Sequence, residues 1–154
     1  MTPAGQVKTI PLKVGTAATD ATAAYTIDRQ GFDYCTINVT QSAASATNSA
    51  DKLVVFKVAH GATTAVSSAS DIAAFTGSTN TSVTAGFVIA PSSNTASPTT
   101  QRLGIKCNAL ERYLFLIIHP DANNGALYAE AQLSRGRNAP ANTTDQGVTN
   151  FVQG

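Results

Sequence analysis

The chain's 154 residues suit one domain, and folding at that size buries roughly 68–70% of the surface an unfolded chain exposes, so no disulfide or metal staple is needed. Only 12% of the residues are charged and the formal net charge is +1, against an ordinary charged share of about 25%. Lys and Arg are scattered apart from Arg135 and Arg137, which argues against a nucleic-acid partner, and no apolar run approaches the ~18 residues of a membrane span.

Ser, Thr, Asn and Ala fill the spaces between apolar runs. They give a neutral polar exterior with little colloidal repulsion, which suits a subunit of an assembly better than a free monomer. The opening Met1-Thr2-Pro3-Ala4-Gly5 lacks the basic and apolar regions of a secretory signal, so the expectation is synthesis and assembly in a cytoplasm.

In chain order, residues 7–14 place Ile10, Leu12 and Val14 on one parity with Pro11 between them. Proline cannot donate to a ladder, so this is an edge strand or an extended arm. Residues 15–24 have no period and form a loop. Tyr25 and Ile27 begin a short strand that ends at the turn Asp28-Arg29-Gln30-Gly31, and residues 33–40 alternate Cys35, Ile37 and Val39 inward against Tyr34, Thr36 and Asn38 outward. The alanine-rich stretch 41–51 has no apolar stripe and is read as a loop.

Residues 52–60 form the next strand, with Val54, Phe56 and Val58 toward the core and Lys57 outward. The small-residue stretch 61–70 leads to a short element over 71–75. Residues 83–90, with Phe87 and Ile89 on one parity, form a strand that Pro91 ends, and 102–107 alternate again with Leu103, Ile105 and Cys107 inward. Arg112 to His119 is a continuous apolar and aromatic run, the pattern of a strand covered on both faces; Phe56, Phe115 and Ile117 are therefore expected in one core.

From Leu127 the chain alternates strictly, with Tyr128, Glu130, Gln132 and Ser134 outward. The Asn- and Gly-containing stretch 120–125 between these two runs reads as the turn of a β-hairpin. About eight strands with no convincing helix predict an all-β fold, a single antiparallel sandwich of jelly-roll type with extended N-terminal and C-terminal arms. The arm with its edge strand spans 1–23, the sandwich 24–137, and the C-terminal arm 138–154. That last arm has too few apolar residues to order itself, and its Phe151-Val152 pair is expected to dock onto a neighbouring subunit.

Catalysis needs a nucleophile, a base and a stabiliser brought together, and the sequence carries no nucleophile elbow, phosphate loop or paired-histidine zinc motif, so no enzyme and no cofactor are expected. His60 and His119 stand at strand ends with no second His or Cys at ligand spacing, which predicts no metal site. The stretch 121–125 resembles the start of a calcium loop, but the position of the bidentate acid is Gln132. Three Asn-x-Ser/Thr triplets, at Asn38, Asn80 and Asn142, have no expected role without a secretory signal. Cys35 and Cys107 fall on apolar parity and are expected to be buried, reduced thiols. Tyr34 and Tyr128 fall on polar parity, where they would serve a subunit contact or a sugar-stacking platform.

The run Glu111-Arg112-Tyr113-Leu114, the apolar strand after it, the Asn/Gly turn, and the ending Ala131-Gln132-Leu133-Ser134-Arg135-Gly136-Arg137-Asn138-Ala139-Pro140 resemble a group of small β-sandwich proteins encoded among the structural genes of tailed bacteriophages. The resemblance spans roughly residues 24–140. Where related sequences often carry an aspartate-rich turn and a tryptophan, this chain has Ala59-His60-Gly61-Ala62-Thr63-Thr64 and no Trp. The resemblance implies a capsid decoration (cement) protein on the exterior of the virion, binding the major capsid protein as a homo-oligomer, a trimer being favoured. Tyr34, Tyr128, Arg135, Arg137, Phe151 and Val152 are the candidate subunit or capsid contacts. The alternatives are a carbohydrate- or receptor-binding module of a phage tail, and a structural component of the tail or neck.

Overall fold

Among the described residues, alternation of β-branched and aromatic residues with polar ones produces eight strands: β1 (Lys8–Lys13), β2 (Ala23–Asp28), β3 (Phe32–Gln41), β4 (Leu53–Gly61), β5 (Ser70–Asp71), β6 (Thr99–Lys106), β7 (Tyr113–Pro120) and β8 (Leu127–Gly136). This computed structural model describes residues 7–15, 22–41, 53–72, 99–120 and 126–136. The strand expected over 83–90, the turn 121–125, the side chain of Val54 and both terminal arms lie outside the described residues.

The strands form two four-stranded antiparallel sheets, ordered β1-β8-β3-β6 and β2-β7-β4-β5. The pairs β1–β8, β2–β7, β3–β6 and β4–β5 are the successive rungs of one long ribbon, folded so that they alternate between sheets. Pairs β3–β8 and β4–β7 complete each sheet. That is jelly-roll connectivity.

Inward-facing residues of both sheets build the main core: Ile27, Ile37 and Ile105 meet Leu114, Leu116 and Leu133, all fully buried or nearly so. Each such side chain contributes about 1.5–3 kcal/mol relative to exposure. Phe56 belongs to this core. Phe115 and Ile117 do not; they lie on the opposite face of the β2-β7-β4-β5 sheet in a second cluster with Ala59, packed against Val66, Ala69 and Tyr113. The single core expected for the three residues is therefore two. The continuous run in β7 was rightly read as covered on both faces, but the connection between β4 and β5 supplies part of the second cover.

The runs 113–120 and 127–136 are not the arms of one hairpin: β7 pairs with β2 and β4, and β8 with β1 and β3. Each already has a partner on both edges, so the chain crosses from one sheet to the other between them. Lys57 does leave the main core, as its parity requires, but it is 0% exposed and its ammonium stands 3.1 Å from the Asp71 carboxylate. Parity assigns a residue to a face of the sheet; it does not say whether that face is covered.

Cys35 and Cys107 are free and buried on the inner side of the β3–β6 pair. Burial pushes the Cys35 thiol up to about 12, with Cys107 adding to the effect, and burial also raises Cys107. A folded thiol that holds its proton to higher pH than an unfolded one stabilises fully below pH 9.0, and that contribution is lost as pH rises toward about 12. Native protein treated with iodoacetamide at neutral pH is therefore expected to stay unlabelled until denaturant is added. Rapid native labelling of either residue would mean that the inner and outer faces of β3 and β6 are exchanged.

Candidate functional site

The outer face of the β1-β8-β3-β6 sheet carries every second residue of its strands, because the alternate ones, such as Cys35, Ile37, Ala131 and Leu133, fill the core. Its middle is a network across β8, β3 and β6. Gln132 Nε2 donates to Glu130 Oε1 at 3.2 Å, Asn38 Nδ2 donates to the same oxygen at 3.0 Å, and Arg102 Nε donates to Asn38 Oδ1 at 2.8 Å. Thr40 and Thr100 hydroxyls, 3.0 Å apart, extend it. Planar polar groups are thus fixed on rigid strands before any ligand arrives.

The two ends of this face differ. At one end Tyr34 lies opposite Ser134, and the Arg135 guanidinium sits 5.0 Å above the Tyr34 ring. Arg135 has φ 55°, a left-handed conformation that costs a non-glycine residue about 1–2 kcal/mol. The chain holds this strained position while its guanidinium packs on the aromatic face, an attraction worth about 0.5–1 kcal/mol when exposed. A nearby depression of about 320 Å³ holds Arg29 and Arg112. Both are already engaged. Arg29 donates to the carbonyls of Glu111 (2.7 Å) and Leu110, and Arg112 makes a two-pronged contact with Asp28 at 3.0 and 2.7 Å. The Arg112 hydrogen bond holds the Asp28 carboxyl below its ordinary value.

At the other end, Tyr128 pairs with Thr40, and a groove of about 350 Å³ runs between Pro11, Lys13, Val14, Asn38, Tyr128 and Glu130. Among the described residues, Val14 and Tyr128 are the large apolar side chains left exposed, at 71% and 46%. In sequence Val14 shares the parity of Ile10 and Leu12. A bulge reverses it: Pro11 pairs with Glu130 but Lys13 pairs with Ala129, so two steps along β1 match one along β8, and Val14 falls level with Tyr128 on the outer face. Gly15, with φ 95°, then turns the chain, and its carbonyl accepts the Leu127 N–H at 3.0 Å.

Of the candidate contacts, Tyr34 and Arg135 are thus brought together, and Tyr128 stands at the opposite end of the same face. Arg137, Phe151 and Val152 lie outside the described residues. Sequence reasoning missed Val14, Lys13, Asn38 and Glu130 as site residues. The available signal was Pro11, since proline inside a strand marks an edge or a bulge.

His60 and His119 are built into the ends of their strands. The Glu111 N–H donates to His60 Nδ1 at 3.4 Å, and His119 Nδ1 shares a 2.9 Å hydrogen bond with the Thr22 hydroxyl. Among the described residues no three His, Cys, Asp or Glu side chains gather to hold a metal ion, and no helix is long and apolar enough to cross a membrane. No protein-family model, no curated protein and no solved structure matches this chain.

Proposed function

We propose that the chain is a virion structural protein, a decoration or cement protein that binds the outside of a phage head and strengthens contacts between major capsid proteins, as a homo-oligomer and in this reading a trimer. The observation that carries it is where the chain enters and leaves the sandwich. Lys8 lies opposite Leu133 in neighbouring antiparallel strands, so β1 begins and β8 ends at the same end of one sheet. Tyr34 and Arg135 stand at that end, and Arg137 follows directly in sequence.

A body whose first strand begins and last strand ends at one end suits attachment through several weak contacts, where linkage raises the effective concentration at each. The neutral, Ser-, Thr- and Asn-rich composition fits a subunit that lives in an assembly. Deleting residues 141–154 is expected to leave thermal unfolding of the core nearly unchanged while lowering occupancy on phage heads, read by sedimentation with particles. Full retention of head binding after removal of both 1–6 and 141–154 would sink the arm mechanism. If the intact protein binds no heads at all, the decoration reading fails with it.

A further inference from the structure

Single exposed apolar side chains are ordinary on a protein surface; a pair brought together by an irregularity is less so. Without the bulge after Pro11, Val14 would face the core. With it, Val14 joins Tyr128 as a wall of the 350 Å³ groove, and bulges are enriched beside functional sites because they re-aim a side chain in this way. The volume falls within the ~300–1,000 Å³ range of small-ligand sites.

The groove's chemistry is mixed. Tyr128 offers the face of an amphipathic ring. Beside it, Glu130 uses Oε1 for both Asn38 and Gln132, which leaves Oε2 to accept from outside, and Asn38 Nδ2 keeps its second hydrogen. Lys13 also lines the groove.

We infer that this groove is a saccharide-binding site that takes a neutral pyranose ring. The apolar C–H face of such a sugar packs on Tyr128, with Val14 and Pro11 at its edge. Vicinal hydroxyls donate to Glu130 Oε2 and accept from Asn38 Nδ2. The Glu130 carboxylate among the groove's polar groups disfavours an anionic ligand. A stable protein contact engages about 20–30 residues a side, which a groove of this size does not supply. The groove lies about 23 Å along β8 from Arg135, away from the end where the terminal arms join. A body attached through its arms would therefore present the groove outward, although the inference rests on the groove alone.

The test is titration of the full-length ¹⁵N-labelled chain, followed by amide resonances, with the methyl glycosides of glucose, galactose, mannose and N-acetylglucosamine in turn. At least one should shift the amides of residues 13–14, 38–40 and 127–130, saturating in the millimolar range. Tyr128→Ala should weaken that binding on the order of 10-fold, Glu130→Gln should weaken it too, and Tyr128→Phe, which keeps the ring, should retain it. Lys106→Ala, on the same face at the far end, should bind as the parent does. The dispersion of each variant's spectrum reports its folding. No shift with any of the four glycosides, or shifts only elsewhere on the molecule, overturns the inference. So do shifts at these amides that grow with protein concentration in the absence of sugar, since a second copy of the chain would then be the occupant. Binding to phage heads is measured separately, so failure of either proposal leaves the other standing.

Discussion

Truncating Phe115 to Ala is expected to cost about 3–5 kcal/mol in chemical unfolding, the range for removing a fully buried aromatic side chain. Phe115 is 0% exposed at the centre of β7, packed with Ala59 and Ile117 under Val66 and Ala69. The ring lies over Gly61, where a Cβ would stand 3.2 Å from Phe115 Cε2 and press on the ring by a few tenths of an ångström. A loss below about 1 kcal/mol would mean that this face of the sheet is bare. The milder pair Phe56→Leu and Phe115→Leu tests the division into two clusters. Phe56 faces the main core and Phe115 the other side of the sheet, so the two losses should add to within about 0.3–0.5 kcal/mol. A larger coupling would put both rings in one cluster.

Strand positions were legible because alternation in a strand is a local property. Cys35, Ile37 and Val39 against Tyr34, Thr36 and Asn38 can be read without knowing any partner, and so can Leu103, Ile105 and Cys107; all six inward residues are buried. That alternation predicts an all-β sandwich, which two four-stranded antiparallel sheets form, although the expected strand 83–90 lies outside the described residues and β5 falls where the sequence shows only a small-residue stretch and a short element. Pairing is not local. Ala23 lies opposite Ile118 and Tyr34 opposite Lys106, separations that no turn signal encodes. Between β7 and β8 the sequence carries Asn-Asn-Gly, chemistry that serves equally for a chain turning back within a sheet and for one crossing to the other sheet. Proximity in sequence favoured the first, and the partners already on both edges of each strand require the second.

The candidate site was half legible. Outward parity selected Tyr34 and Tyr128, but it could not distinguish a ring capped by Arg135 from one that borders a groove. That difference arises from two backbone irregularities, the bulge after Pro11 and the left-handed Arg135. Neither leaves a periodic trace, because each breaks the period.

Lys57 shows the same limit at an energetic cost. It is 0% exposed, and both oxygens of Asp71 stand 3.1 Å from its ammonium, while the Asp71 side chain keeps 13% exposure. Desolvating two charges offsets most of their attraction, so such a pair adds little net stability; removing one partner is another matter, because the remaining charge stays buried without that carboxylate. Asp71→Ala is therefore expected to cost about 3 kcal/mol, the lower end of the ~3–5 kcal/mol range because water reaches the carboxylate. Adding Lys57→Met to Asp71→Ala replaces the buried ammonium with an apolar chain of similar length. The double variant should recover most of the loss, so that two substitutions cost less than one. Unfolding of the two single variants and the double gives the coupling directly. If Asp71→Ala costs under about 1 kcal/mol and the second substitution recovers nothing, the carboxylate is not what makes burial of Lys57 tolerable.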